Sequence, residues 1–218
     1  MYNMIELGTR GGISMITKKY SSANHKYLDD YDETAEKTHI IYDDAVNLYG
    51  FAMKQPYGFL HFLTDEEIQN FDLQKVASDS KEGYILEVDL EYPSHLHDVH
   101  NCHPLAPEHQ LIQDEDLWPY SKSLWKKLNG ENQSRLKIRK LIPTLKDKKN
   151  YVVHYRNLQL YIELGMKITK IHRILGYHQK AWLKTHIDFN SNMRKHAKND
   201  FEKDFFQVNV WYFLSMIS

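Results

Sequence analysis

The chain has 218 residues, of which 42% are hydrophobic, and its formal net charge is −1. A single cysteine, Cys102, excludes an internal disulfide framework, and nine glycines and six prolines exclude a collagen-like or linker-rich chain. No apolar segment approaches the roughly 20 residues of a membrane span, and Glu6 and Arg10 interrupt any secretory leader at the start. These features predict a soluble intracellular protein with no membrane partner.

Charge is strongly segregated along the chain. Residues 1–134 carry 11 lysine and arginine residues against 23 aspartate and glutamate residues, a net of −12. Residues 135–203 carry 17 against 5, a net of +12. Such asymmetry indicates an anionic partner for the basic part, for which a nucleic acid is a candidate. The alternative, that the basic part pairs with the acidic part within one fold, stays open at this point.

The first segment contains Gly8-Thr9-Arg10-Gly11-Gly12. Paired glycines permit tight turns and close backbone approach to a ligand, and an arginine fork suits a phosphate. The following residues, Ser21–Lys37, are polar and acidic, which is typical of a surface connection.

Residues Thr38–Met53 read T-H-I-I-Y-D-D-A-V-N-L-Y-G-F-A-M. The β-branched and aromatic run Thr38–Tyr42 predicts a short buried strand that ends at two aspartates. A carboxylate held at a strand end can coordinate Mg²⁺, which prefers oxygen ligands. Alternatively, the aspartates form a strand-end turn and Tyr49 lies in the core.

Two further elements are indicated between residues 57 and 93. Thr64 and the Glu67 that follows three residues later form a capping box, which predicts a helix over about Asp65–Phe71. Gly83–Pro93 alternates apolar and acidic residues, which predicts a strand with one face in water. The alternation accounts for an exposed Asp89 without a metal.

The segment Ser94–Pro107 is rich in soft and borderline metal ligands, namely His95, His97, His100, Cys102 and His103. Their spacing matches no standard structural zinc site, so a zinc site remains only an alternative for this loop.

The basic part of the chain predicts mixed structure. A strand, a hairpin turn at Lys146–Lys149, a second strand and a helix over Tyr155–Leu164 are expected, and Gly165 suits the position just after a helix end. A strand over Ile168–Leu175 follows. Gln179–Phe206 then predicts a long helix or a helical pair, with an apolar stripe opposite lysines and arginines. The residues of this stripe are Trp182, His186, Phe189, Met193, Ala197, Phe201 and Phe205.

Three stretches carry a resemblance to a known family. Asp44–Gly50, D-A-V-N-L-Y-G, resembles the D-x-x-S-L-Y-P motif of family B DNA polymerases, and more closely the D-A-N-N-L-Y-G form of the protein-primed branch. That branch is carried by Maverick or Polinton transposons. Residues 87–108 and 145–173 are similar to longer segments of the same polymerases. The resemblance covers about residues 5–206.

The resemblance implies an α+β fold that comprises a partial family B polymerase palm, the priming-protein insertion and the start of the helical fingers. Its implied divisions are a linker into the polymerase domain over 1–37, a palm strand with the motif over 38–82, and an insertion-like segment over 83–165. The remaining divisions are the start of the fingers helices over 166–206 and a divergent tail over 207–218.

The resemblance also implies the site residues. Asp44 would be the catalytic carboxylate, and Asp44 and Ala45 would hold Mg²⁺. Tyr49 would lie under the incoming sugar and reject a 2′-hydroxyl, while Lys195 and Lys203 would contact the triphosphate.

The implied partners are a DNA template-primer, deoxynucleoside triphosphates and a terminal priming protein. Arg10, Gly11 and Gly12 stand at the element that contacts single-stranded template in the family.

The pattern departs from the family after Phe206. Gln207 stands where the family has its motif lysine, and the later D-T-D carboxylates are absent. Two-metal phosphoryl transfer needs carboxylates on both sides of the metals, so we expect this chain not to be a competent polymerase by itself. The alternatives are a non-catalytic nucleic-acid-binding remnant of a transposon and a metal-dependent nuclease that uses Asp44 and Asp89.

Overall fold

The structure is a computed structural model, and it describes residues 1–13, 15–18, 20–44, 48–55, 58, 60–77, 79–130 and 139–215, with only the backbone of residues 60, 114 and 210–215. The helices are α1 (Tyr2–Gly8), α2 (Leu48–Met53), α3 (Asp65–Gln69), α4 (His97–His100), α5 (Pro119–Asn129), α6 (Tyr155–Glu163), α7 (Lys184–Lys195) and α8 (Asp200–Ser215). The strands are β1 (Leu60–Phe62), β2 (Glu82–Glu91), β3 (Glu108–Leu111), β4 (Arg139–Ile142), β5 (Lys148–His154) and β6 (Lys167–His178). The predicted α+β class is confirmed.

The strands form two sheets. The larger sheet has the order β1-β6-β2-β5, and β3 and β4 pair antiparallel in a separate two-stranded sheet. The chain divides into two compact units: unit 1 is Met1–Lys19, Leu63–Leu73 and Ile85–Ile174, and unit 2 is Tyr20–Phe62, Gln74–Tyr84 and Leu175–Ser218.

The core of unit 1 lies on the paired strands β2 and β5. Ile85 lies opposite His154, and the antiparallel register continues to Leu90 opposite Lys148, with an irregularity between Val88 and Leu90. Apolar side chains from both strands and from α6 are almost fully buried, and burial of this kind is the main favourable term in folding. They include Leu86, Val88, Leu90, Val152, Val153, Tyr155 and Leu158.

Two local predictions at helix ends are confirmed. The Thr64 side chain accepts the N–H of Glu67, whose carboxylate accepts the N–H of Thr64, so the capping box of α3 is present. Gly165 follows α6 with a φ of +100°, a backbone conformation that side chains disfavour. A Cβ there would also lie 3.0 Å from Cδ2 of Leu96, a tight contact that the leucine side chain would have to move to relieve.

The predicted strand at Thr38–Tyr42 is wrong. Only Thr38 makes a β-bridge, to Asn24, and residues 39–44 form no strand. Ile41 and Tyr42 are 85% and 97% exposed. A β-branched run forms a strand only where another strand accepts its backbone hydrogen bonds, and no described strand lies beside this one.

The Asn24–Thr38 bridge closes a compact loop instead. The Asn24 side-chain amide donates to the carbonyl oxygens of Asp32 at 2.9 Å and Glu36 at 3.1 Å, while its oxygen accepts the N–H of Asp32 at 2.9 Å. One asparagine therefore satisfies backbone groups across the interior of the loop.

The predicted hairpin at Lys146–Lys149 is also wrong. Strand β4 pairs with β3, whereas β5 pairs with β2, so the two strands that flank the turn belong to different sheets. Lys148 lies inside β5 with its side chain fully buried. Its ammonium group donates to the carbonyl and hydroxyl oxygens of Thr144 and lies 3.1 Å from Glu108, which compensates for its burial.

The predicted helical pair is confirmed as α7 and α8, which pack against each other in unit 2. The buried face of α7 differs from the expected stripe, because Leu183 and Ile187 are buried together with Met53 of α2. Several of the aromatic residues of the expected stripe are exposed, including Trp182, Phe189, Phe201 and Phe205. Helix α8 continues to Ser215 through most of the segment expected to diverge. None of the helices within the described residues is long and apolar enough to cross a membrane.

Candidate functional site

The motif residues Asp43 and Asp44 lie in an exposed, irregular segment of unit 2. The backbone N–H of Asp44 donates to the Asp43 carboxylate at 2.9 Å, so the two carboxylates have different surroundings. Asp43 satisfies the local backbone, and the exposed carboxylate of Asp44 is accessible to a ligand. Ala45, the other implied Mg²⁺ ligand, lies outside the described residues.

Tyr49 lies in the first turn of α2, and its side chain is exposed. The alternative that placed Tyr49 in the core is therefore wrong. The buried residues of α2 are Gly50 and Met53, and the latter packs against Leu183 and Ile187 at α7. This packing orients α2 so that the Tyr49 ring is available at the surface.

An ion-pair network reinforces the contact between α2 and α7. The Asp188 carboxylate lies 2.5 Å from the ammonium group of Lys54, just after α2, and 3.0 Å from that of Lys184. The hydrogen bond from Lys54, followed by that from Lys184, lowers the pKa of Asp188. All three side chains are partly exposed, so the pairs fix orientation more than they add stability.

The two lysines implied as triphosphate contacts have different surroundings. Lys195 lies exposed in the last turn of α7. Lys203 lies in the first turn of α8, where it pairs with Asp200 at 2.9 Å and lowers the pKa of that carboxyl by its hydrogen bond. Packing of α2 on α7 and of α7 on α8 thus brings the helices that carry Tyr49, Lys195 and Lys203 into one unit.

Arg10 belongs to unit 1 and has a structural role that the sequence did not reveal. Its Nη1 donates to the carbonyl oxygens of Val152 at 2.7 Å and Gly8 at 3.1 Å, and its guanidinium lies 4.0 Å from the centre of the Tyr151 ring. Such a stack is favourable when it is partly desolvated. Arg10 therefore ties the segment after α1 to strand β5.

Gly11 and Gly12 are exposed, and a Cβ built on either residue meets no atom within 4 Å. No described residue of the chain therefore requires glycine at these two positions. Alanine there would be tolerated by the fold, which makes both positions suitable probes of an external ligand.

A buried polar cluster on β2 was missed by sequence reasoning. The predicted exposure of Glu87 and Asp89 is wrong, since Asp89 is only 8% exposed and Glu87 is buried to a similar degree. The Asp89 carboxylate accepts the backbone N–H of Asn150 at 2.9 Å and lies 2.9 Å from Nε2 of His172 and 3.3 Å from Nζ of Lys149. The Asn150 bond, followed by that of His172, lowers the pKa of Asp89 well below its usual range.

The cluster stabilises a bulge in strand β5. The register irregularity in β5 places Lys149 and Asn150 opposite Asp89, and Asn150 has a φ of +50°. A bulge of this kind leaves a backbone N–H without its ladder partner, and the Asp89 carboxylate accepts it. Glu87 supports the same bulge by accepting the Asn150 side-chain amide at 3.1 Å, together with Nε of Arg173 at 2.5 Å.

Part of the segregated charge of the sequence is paired within unit 1. Acidic residues from its first half bind basic residues from its second half, so this part of the +12 excess needs no external partner. These pairs include Glu87–Arg173, Asp89–Lys149, Glu91–Lys167, Glu108–Lys148 and Asp116–Lys146.

The histidine-rich loop is organised by Tyr92. The buried Tyr92 hydroxyl lies 2.8 Å from Nδ1 of His100 and accepts the backbone N–H of Leu105 at 3.2 Å. Burial raises the pKa of Tyr92. The His97 and His100 rings both pack edge-on against the Tyr92 ring. Within the residues that the structure describes, which include this whole loop, no three His, Cys, Asp or Glu side chains are grouped to hold a metal ion.

Comparison with known proteins adds no identification, since no protein-family model, no curated protein and no solved structure matches the chain.

Proposed function

We propose that this chain is an internal part of a protein-primed family B DNA polymerase, comprising part of the palm, the priming-protein insertion and the start of the fingers. The reaction of the whole enzyme is attack of a primer 3′-hydroxyl on the α-phosphate of a deoxynucleoside triphosphate. The observation that carries the proposal is the segment from Asp44 to Gly50, in which an exposed carboxylate precedes a helix that presents the exposed Tyr49 ring.

The residues have separate roles in this proposal. Asp44, with Ala45, holds Mg²⁺, which when bound neutralises phosphate charge. Tyr49 excludes a 2′-hydroxyl, and Lys195 and Lys203 neutralise the triphosphate. Because Lys203 already pairs with Asp200, it has to exchange that partner for a phosphate, whereas Lys195 forms no ion pair with a residue that the structure describes.

The chain alone is not a competent polymerase under this proposal. Asp44 supplies one carboxylate, and two-metal phosphoryl transfer needs carboxylates from more than one strand. Asp89 is unsuited to be the second, because both of its oxygens already accept hydrogen bonds within unit 1. The same contacts leave the nuclease alternative, which needs Asp44 and Asp89, without an observation in its favour.

The test is Mg²⁺-dependent binding of a fluorescent deoxynucleoside triphosphate, compared between Asp44→Asn and Asp43→Asn. The second variant is a matched control, because asparagine at 43 keeps the oxygen that accepts the N–H of residue 44. We expect Asp44→Asn alone to lose the Mg²⁺-dependent component, with no primer extension by any form of the chain. Equal effects of the two variants, or nucleotide incorporation that is lost in Asp44→Ala, would contradict the proposal.

Tyr49→Ala gives an independent reading of the same site. Removal of the ring should reduce discrimination between a deoxyribonucleotide and the matching ribonucleotide without weakening Mg²⁺ dependence. Unchanged discrimination would remove Tyr49 from the site.

A second candidate function is nucleic-acid binding without catalysis, which is favoured by the exposed Lys195. It predicts salt-sensitive DNA binding that survives Asp44→Asn and declines when Lys195 and Lys203 are changed to glutamine. Comparison of the two sets of variants distinguishes it from the polymerase proposal.

A further inference from the structure

Helix α2 is too short to keep its place without tertiary contacts. It has six residues, fewer than an isolated helix needs in water, so its position depends on what it packs against. Of these six residues, Gly50 and Met53 are buried, and Met53 lies with Leu183 and Ile187 at α7. Apolar burial has no direction, so this contact holds α2 close to α7 but allows α2 to turn about Met53.

A second, directional contact restricts that turning. Lys54 directly follows α2, and its ammonium group lies 2.5 Å from Oδ1 of Asp188 on α7. The N–H of Lys54 donates to the carbonyl of Gly50, so this lysine continues the last turn of α2. Consecutive residues of a helix point about 100° apart. Met53 and Lys54 therefore attach α2 to α7 at two different sides, one apolar and one charged.

Asp188 is itself held in place by its own helix. Its other oxygen, Oδ2, lies 3.0 Å from the ammonium group of Lys184, four residues earlier on α7. A pair with this spacing is a favourable contact along one helix face and restricts rotation of the Asp188 side chain. One carboxylate oxygen thus serves α7 and the other serves the end of α2.

The orientation of α2 on α7 bears directly on the proposed nucleotide site. Tyr49 lies in the first turn of α2, and Lys195 lies in the last turn of α7. A turn of α2 about Met53 moves the Tyr49 ring relative to Lys195. A ring that rejects a 2′-hydroxyl by contact has to be held within about 0.5 Å of its working position.

We propose that Asp188 is a positioning residue for nucleotide selection. By binding Lys54, it fixes α2 on α7 and so places the Tyr49 ring against the sugar of the nucleotide whose triphosphate Lys195 contacts. Asp188 acts through Lys54 and does not touch the nucleotide. The inference rests on the proposed function and extends it, because Asp188 and Lys54 both lie outside the Asp44–Gly50 motif.

A purely electrostatic effect of these residues predicts a different pattern. Asp188→Asn removes a negative charge, whereas Lys54→Gln removes a positive charge. If only the field of the protein changed, the two variants would shift the affinity for an anionic nucleotide in opposite directions. Loss of the contact between α2 and α7 instead lowers discrimination in both variants, so the pair of variants separates positioning from charge.

The test is Mg²⁺-dependent binding of a fluorescent deoxynucleoside triphosphate and of the matching ribonucleotide to the whole chain. Asp188→Asn and Lys54→Gln should each lower the ratio of the two affinities by roughly 2- to 5-fold, the effect that an exposed ion pair has on an equilibrium. The double variant should be no worse than either single variant, because both remove one contact. Lys54→Arg keeps the ion pair and should retain the ratio.

Glu91→Gln is the matched control for loss of a carboxylate. The side chains of Glu91 and Asp188 have similar exposure, 43% and 40%, and Glu91 pairs with a lysine of unit 1. This variant should leave the ratio of affinities unchanged, because its ion pair does not involve α2.

Hydrogen exchange gives a readout that requires no nucleotide. The N–H groups of Lys54 and Gln55 bond to carbonyl oxygens of the last turn of α2. Both should exchange faster in Asp188→Asn, because α2 loses one of its two attachments, and at the unchanged rate in Glu91→Gln.

Two results would overturn this inference alone. The first is unchanged discrimination in Asp188→Asn when Tyr49→Ala loses it. The second is opposite shifts of affinity in Asp188→Asn and Lys54→Gln with unchanged hydrogen exchange in α2. Failure of the proposed function gives a different pattern, in which Asp44→Asn and Tyr49→Ala themselves leave nucleotide binding unchanged, and it removes the inference as well.

Discussion

Strands β2 and β5 of unit 1 bury a continuous apolar face, and their charged residues pair with one another and with residues of β3 and β6, whereas unit 2 leaves several large apolar and cationic side chains in water. Asp89 and Lys148 are buried in unit 1, yet their polar atoms have protein partners. In unit 2, Tyr42 and Phe201 are among the most exposed side chains of the described part of the chain. The comparison shows that some basic residues of the second half of the sequence form ion pairs within unit 1, whereas others are exposed to solvent in unit 2.

The comparison predicts its largest effect in the core of unit 1. Leu158→Ala removes a fully buried side chain of α6 and should lower the free energy of unfolding by about 2–5 kcal/mol. Leu160→Ala on the same helix is the control, because Leu160 is about half exposed and its truncation should cost much less than that of Leu158. Urea titration measures both, and similar values would mean that α6 does not pack as described.

The polar cluster predicts a pH-dependent effect. Asp89→Asn should lower the denaturation midpoint at pH 7 by less than Leu158→Ala but by more than Glu91→Gln, whose carboxylate is much more exposed. The pKa of Asp89 is lowered in the folded chain, so its contribution is present above the unfolded value of about 3.9 and is lost as the pH falls through the folded pKa. Thermal melts of the unchanged chain and of Asp89→Asn, recorded from pH 7 to pH 2, should give midpoints that converge below pH 4. A constant difference between the two midpoints would exclude the lowered pKa of Asp89 as the cause.

A smaller effect on stability is expected at the bulge residue Asn150, where two substitutions can be compared. Asn150→Ala and Asn150→Gly both remove the amide that binds Glu87, but only alanine has a side chain that opposes a φ of +50°. Alanine should therefore be less stable than glycine by about 1–2 kcal/mol in chemical denaturation. Equal stabilities would show that residue 150 does not hold the left-handed conformation.

The smallest expected effect lies in unit 2. Ile41→Thr should change the free energy of unfolding by no more than about 0.5 kcal/mol, because Ile41 is exposed, and it should reduce aggregation at high concentration. Light scattering and urea titration measure the two quantities. A loss above 1 kcal/mol would show that this segment packs against the chain in solution.

Sequence patterns correctly predicted the features that depend only on residues close together in the chain. The capping box at Thr64 and Glu67 and the glycine after α6 were predictable because each involves residues only a few positions apart. The helix over Tyr155–Glu163 follows from the spacing of its apolar residues for the same reason.

Features that depend on distant partners were not predictable from one sequence. The run at Thr38–Tyr42 has strand composition, but composition does not supply a neighbouring strand. Alternation assigned Glu87 and Asp89 to one face of β2, yet it could not show that a bulge in β5 would cover that face. The burial of Lys148 was not predictable either, because its partner Glu108 lies 40 positions away in the sequence.

Of the residues proposed for the site, the exposure of Asp44 and Tyr49 could not be inferred from the motif, which allowed a buried Tyr49 equally. The internal role of Arg10 was hidden as well, since the carbonyl it binds, on Val152, lies 142 residues further along.

The Asn24 loop has a consequence for chemical ageing. The amide nitrogen of Asn24 donates to the carbonyl oxygens of Asp32 and Glu36. Deamidation would replace that nitrogen by a carboxylate oxygen, which would face the same carbonyls without a proton to share. Hydrolysis of one side chain should therefore open the loop closed at Thr38, and partial proteolysis of aged protein between Asn24 and Thr38 would reveal it.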